Sequence, residues 1–283
     1  MNDRPRFSGG RCIPDIDTLD FLSRVLDQVS LSTYFHDVHS DFYSKYRAWI
    51  ESTELNTVSG LDQFPYQQFT QGTTEAIDKF YMRHRDKTIK VLPGEYPYHT
   101  KAGYAKRIDT LTPNDALIIS LPFASTGNQH RYKELLWEAN NLNIPVFVDC
   151  AWFGTCYDIH FNLNYPCIEE VSFSLSKTFP LAHLRVGCRF TKVKDGLTLY
   201  SDAGYLNWLS QWVGIQFLDR FSPDYIPQKY YEAQKSFCKI LNVTPSKCVQ
   251  IATGNKEWEY LDRDGFNRLC LSDEIMEWYY EET

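Results

Sequence analysis

The chain has 283 residues, 43% of them hydrophobic and 23% charged, so it is long and apolar enough to bury a sizeable core. A formal net charge of −7, with no basic run to reverse it, argues against nonspecific nucleic-acid binding. The polar start MNDRPRFSGGRC and all later stretches lack an apolar run of bilayer length, and the eight cysteines are scattered without metal spacing, so the expectation is a cytoplasmic protein with reduced thiols and no membrane partner.

In chain order, residues 17–29 and 38–51 read as helices. Gly72, Thr73 and Thr74 then lead into an amphipathic pattern with apolar Ala76, Ile77, Phe80 and Tyr81. Strands are predicted over 88–92, 116–121, 144–149, 170–174 and 185–190, with a helix over 131–141. That alternation predicts an α/β fold with a mostly parallel central sheet and helices on both faces. Helices over 203–217 and 227–241, strands over 247–252 and 266–272, and a helix from Asp273 predict a reduced α+β small lobe. The expected division is an N-terminal helical segment (1–55), a large α/β domain (56–200) and the small lobe (201–283). Tyr205, Trp208, Trp212 and Ile215 recur at helical spacing, which suits a core stripe, an apolar pocket or a dimer face.

Three segments carry candidate chemistry. In SLSKTFPLAHLRVG, residues 174–187, Lys177 follows Ser174 and Ser176, and Arg185 stands eight positions on. A lysine at the end of a buried strand, with an arginine at that offset, suits an amine that forms an imine beside a held phosphate, as pyridoxal 5′-phosphate (PLP) requires. Alone, the run is also a common polar strand end with a solvated lysine. In IPVFVDCAWFG, residues 144–154, an apolar strand ends at Asp149. A carboxylate at the mouth of such a strand can pair with a protonated pyridine nitrogen, or simply cap the next turn. Gly72, Thr73 and Thr74 offer free N–H groups, a dipole end and two hydroxyls to a phosphate, or an ordinary helix N-cap.

Taken in order, GTT, ASTG, DCAW and SLSK with Arg185 resemble the fold-type I PLP-dependent enzymes, specifically the class I/II aminotransferase group, over about residues 71–190. The resemblance implies that Lys177 forms the imine with PLP and then shuttles a proton at the substrate's α-carbon. It implies Asp149 as the pyridinium partner, and Gly72, Thr73, Thr74, Ser174, Ser176 and Arg185 as the phosphate cup. Tyr96, in the segment YPYH, resembles the ring that stacks on the cofactor, with Tyr98 as a competitor, and His99 resembles the donor that supports Asp149. Arg268, in FNRLCLS, resembles the clamp on the α-carboxylate of an amino or 2-oxo acid; an edge-strand arginine facing water is the alternative. A homodimer is also implied.

Two departures stand out. Ala124-Ser125-Thr126-Gly127 replaces the usual Asn-Pro-Thr-Gly, and Trp152 replaces the tyrosine that usually follows the aspartate by three. Both customary donors to the cofactor's phenolic oxygen are missing, so the lysine–cofactor linkage is expected to titrate differently unless Ser125, the Trp152 N–H or a water replaces them. The resulting reading is a PLP-dependent aminotransferase acting on a small-molecule amino acid and a 2-oxo acid, without a metal. The alternatives are a PLP-dependent decarboxylase, lyase or racemase, or a non-catalytic PLP-fold binding protein.

Overall fold

The computed structural model describes residues 6–30, 37–194 and 203–282. Seven strands, β1 (Tyr66–Thr70), β2 (Thr88–Val91), β3 (Ala105–Arg107), β4 (Asp115–Ser120), β5 (Val146–Cys150), β6 (Ile168–Ser174) and β7 (Gly187–Thr191), form one sheet in the order β1-β7-β6-β5-β4-β2-β3. The strands β3, β2, β4, β5 and β6 pair in parallel, while β7 runs antiparallel to both β6 and β1.

The longer helices are α1 (Ile16–Asp27), α2 (His39–Glu51), α3 (Thr73–Arg83), α4 (Tyr132–Asn141), α5 (Trp208–Arg220), α6 (Tyr225–Ile240) and α7 (Ser272–Glu282). The alternation of side chains along β4 explains why both faces need cover. Ala116 and Ile118 pack with Ile77 and Phe80 of α3 on one face, whereas Leu117 and Ile119 join Leu135 and Leu136 of α4 in the larger core. A largely buried ionic network ties the antiparallel edge to α3: Glu170 of β6 pairs with the fully buried Arg189 of β7 and with the partly buried Arg83, and Arg189 Nη1 donates to Gln68 of β1 at 2.6 Å.

Beyond the sheet, α6 and α7 accompany a three-stranded antiparallel sheet of β8 (Thr244–Pro245), β9 (Ile251–Thr253) and β10 (Arg268–Cys270). The segment ahead of α1 runs beside β10: Cys270 N–H donates to Phe7 O and Ser272 Oγ to Arg11 O, each at 2.8 Å. Asp15, fully buried, caps α1 through the Thr18 N–H and pairs with Lys229 of α6 at 2.6 Å. The described N-terminal residues are thus tied to the C-terminal ones.

Several expectations shift. Arg185 precedes β7 instead of lying in it, in a turn with φ 57°, because the strand register starts where Gly187 meets Thr70. Residues 203–207 are not helical; Asn207 caps α5 by accepting from Ser210 N–H at 3.2 Å, and the helix runs on to Arg220. Trp212 and Ile215 are core residues and Trp208 stacks on Trp212, but Tyr205, ahead of the helix, is 76% exposed. All eight cysteines are free thiols, and no helix among the described residues is long and apolar enough to cross a membrane.

Candidate active site

A cavity of about 630 Å³ opens at the carboxyl ends of β4, β5 and β6, where Ser120, Asp149 and Ser174 line it. Lys177, in the turn after β6, reaches into the same space. Its Nζ donates to the carbonyl of Gly10 and lies 5.4 Å from the centre of the Trp152 ring. Burial, and next the charge of Arg268, lower the Lys177 pKa, so more of its amine is neutral than in water.

Asp149, 5% exposed, presents a carboxylate to the same cavity. Burial raises its carboxyl to about 6, against the Ala151 N–H at 3.0 Å, a hydrogen bond from the Thr73 hydroxyl and the charge of Lys177. A buried carboxyl of this kind gains most from a cationic partner.

The other end of the cavity is built for an anion. Gly72 adopts φ 76° and precedes α3 without a side-chain cap, so the Thr73 and Thr74 N–H groups are free to face a ligand at the positive end of the helix. A side chain at Gly72 would fill the cradle, since its Cβ would lie 2.7 Å from Arg185 Nη2. Arg185 makes only carbonyl contacts, with Gln71 at 2.9 Å and Ala182 at 3.4 Å, and no described carboxylate neutralises it. Across the cradle, Ser174 Oγ accepts from the Ser176 N–H at 3.2 Å, fixing the two hydroxyls side by side.

Tyr96 and Trp152 form walls. Tyr98 also lines the cavity, but its hydroxyl is held by Asp78 at 2.7 Å and its ring stacks on Tyr96. Arg268 projects from β10, is 6% exposed, donates to Ala124 O at 2.9 Å and lies 5.9 Å from the Trp152 ring centre. Its Nε is buried without a partner, and burial lowers its pKa to about 9. It does not face water.

Two expected contacts are absent. His99 is fully buried, but its Nδ1 is bonded to the hydroxyl of Tyr81, which reaches it from α3, and its Nε2 has no partner. It therefore does not donate to Asp149, which is served by Ala151 and Thr73 instead; burial holds the imidazole down to about 4 and so neutral. Ser125 is buried and donates to the Gly94 carbonyl, so Ala124 lines the cavity in its place and Ser125 does not replace a missing donor.

No protein-family model matches the sequence, and no curated protein matches it. Solved structures match over almost the whole chain. The aromatic aminotransferase from Pyrococcus horikoshii OT3 aligns with a TM-score of 0.69 at 14% identity, over 100% of this chain and 96% of its own. The PLP-bound C–S lyase from Staphylococcus hominis aligns at 0.69 and 12% identity, over 96% and 89%. The chain has the fold of the fold-type I PLP-dependent aminotransferases. The aspartate aminotransferase from Thermus thermophilus with maleate agrees, at 0.68 and 14% identity over 97% and 89%. At such identities the likeness is one of fold.

Within this fold the cavity also gathers residues that the sequence patterns do not single out. Gly10 and Arg11 enter from the N-terminal segment, Ser120 from the end of β4, and Arg263 from the turn before β10. Glu95, in the loop that carries Tyr96, is buried, accepts from the Ser120 N–H at 2.8 Å and from its hydroxyl, and is raised by burial to about 7. Only the paired glycines of SGGR and the loop PGEYPYH give any sequence signal for these.

Proposed function

We propose that this chain holds PLP at Lys177 and transfers an amino group between an amino acid and a 2-oxo acid. The observation that carries the reading is the convergence of a half-buried lysine, a buried carboxylate and an anion cradle on one cavity. The residues fit the group: Arg185, the Thr73 and Thr74 N–H groups and the Ser174 and Ser176 hydroxyls suit a phosphate, and Asp149 suits a protonated pyridine nitrogen.

Bound there, PLP supplies an electron sink for bonds at the substrate's α-carbon. Asp149 keeps the proton on the ring nitrogen, which relieves its own desolvation. Lys177, with its lowered pKa, has a neutral amine available as nucleophile and then as proton carrier at the α-carbon. Arg268 binds the α-carboxylate through the buried edge that now lacks a partner. Trp152 and Tyr96 cover the reacting centre and restrict water.

The test is product analysis. The PLP-loaded protein is incubated with each common amino acid and a 2-oxo acid acceptor, beside Lys177→Ala. Transfer predicts one new amino acid for each donor converted to its 2-oxo acid, and none with the variant. Ammonia or thiol release without a new amino acid contradicts transfer and favours a lyase, the activity named for one structural neighbour.

A further inference from the structure

The cavity keeps positive charge that amino-group transfer alone does not use. Its lining carries six cationic side chains, Arg11, Lys101, Lys177, Arg185, Arg263 and Arg268, against the single carboxylate of Asp149. Arg11 is neutralised by Asp273 at 2.6 Å. In the proposed reaction Lys177 is the reacting amine, Arg185 serves a phosphate and Arg268 an α-carboxylate, which leaves Lys101, exposed at the rim, and the more buried Arg263 without a role.

Arg263 is half-buried, and its guanidinium forms no hydrogen bond or ion pair among the described residues. The carboxylates that its charge reaches are engaged elsewhere. Glu95 accepts from the Ser120 N–H and hydroxyl, and Asp264 pairs with Arg107 and accepts from the Gly94 N–H at 3.0 Å. Those Asp264 contacts also anchor the turn that carries Arg263, so little ordering remains to be done when it binds something. Burial lowers the Arg263 pKa, and its charge in turn weighs on Arg268. Two guanidiniums thus oppose each other across one partly desolvated cavity, an arrangement relieved by two anions rather than one.

We propose that Arg263 determines specificity by holding the charged end of a substrate side chain, so that the site prefers amino and 2-oxo acids with two anionic groups over those with neutral side chains. The inference rests on the reading of the site as one for amino and 2-oxo acids. A second carboxylate and a phosphate-like group share the required chemistry, and the test separates them.

PLP-loaded wild type, Arg263→Gln and Arg263→Lys are titrated calorimetrically with succinate, 3-phosphonopropionate and butyrate. Butyrate has a similar length and one charge. The expected result is at least tenfold tighter binding of a dianionic probe by wild type, loss of that preference in Arg263→Gln with butyrate unchanged, and partial retention in Arg263→Lys. Preference for succinate assigns a carboxylate; preference for the phosphonate assigns a phosphate-like group. Equal affinity of wild type for all three, or a preference that survives Arg263→Gln, overturns the assignment; if Arg263→Gln does not fold, Arg263→Lys carries the comparison, and an undiminished preference there overturns it equally. Failure to retain PLP would contradict the proposed function and is visible before any titration; a missing preference with PLP retained contradicts only the role of Arg263.

Discussion

The side chain of Lys177 is hydrogen-bonded to the backbone carbonyl of Gly10, a residue 167 positions earlier in the chain. The N-terminal segment is therefore part of the site, lying over Trp152 and Arg268. A Cβ on Gly10 would already sit 3.1 Å from Arg268 Nη2 and 3.1 Å from the Trp152 ring. Gly10→Val is expected to raise the KM for the amino donor about tenfold, roughly 1.4 kcal/mol, while PLP is retained. Steady-state kinetics with an unchanged KM would show that Gly10 does not border the substrate.

Gly72 is expected to be intolerant for two separable reasons. Its φ of 76° with ψ 177° lies in a region open essentially to glycine alone, at a cost of about 1–3 kcal/mol for a residue with a side chain, and the added carbon would displace Arg185 from the cradle. Gly103 also has a positive φ, 75°, with nothing within 4 Å of its Cβ position, so Gly103→Ala adds a side chain at a positive-φ glycine away from the cradle. PLP retention is expected to weaken at least tenfold in Gly72→Ala and to stay unchanged in Gly103→Ala, as read by equilibrium dialysis.

The two buried carboxyls give the PLP-free protein a distinctive pH dependence. Asp149 rises from an ordinary 3.8 to about 6 and Glu95 from 4.5 to about 7, in both cases through burial. Each binds its proton more tightly in the folded state, so its own contribution to stability is fully present below pH 4 and is lost as pH rises through 4 to 7, while buried His99, held down to about 4, acts in the opposite sense as pH falls below 6.5. At about 1.4 kcal/mol per tenfold change in proton affinity, each contributes a loss of about 3 kcal/mol. Glu95→Gln keeps an acceptor for the Ser120 N–H and should remove part of the slope. Urea midpoints at pH 4.5 and 7.5 for wild type and variant check this, and equal slopes would contradict it. A cation held beside Asp149 should oppose the loss, so the PLP-loaded protein is expected to show a flatter profile.

Glu170 answers two arginines in the core, Arg83 and Arg189. Removing it strands buried positive charge, and Glu170→Ala is expected to cost about 3–5 kcal/mol. Glu170→Leu combined with Arg189→Met, which removes charge of both signs, should cost less than Glu170→Ala alone. Denaturant unfolding of both variants provides the comparison.

The sheet and one side of the site are legible in the sequence because their residues end runs with a period. Asp149 closes an apolar strand, Lys177 follows one, and Gly72 to Thr74 open an amphipathic helix. The strand β1 is not legible: Tyr66-Gln67-Gln68-Phe69-Thr70 looks polar, and Gln68 is buried only because Arg189, 121 residues on, meets its amide. Arg263 lies in the aperiodic turn Asp262-Arg263-Asp264-Gly265, and it enters the cavity only because Asp264 fastens that turn to Arg107 and Gly94. His99 shows the reverse: a sequence resemblance gives it a partner in Asp149, while Tyr81 on α3 takes the imidazole. Local runs set where strands end, and distant contacts choose which side chains meet there.

The most direct test of the account is the near-ultraviolet to blue absorption spectrum of wild type and Lys177→Ala after incubation with PLP and removal of the excess. A visible band that stays with the wild type and is absent from the variant is the predicted result. No retained chromophore in either protein, or the same band in both, would contradict the assignment of Lys177 as the residue that holds the cofactor.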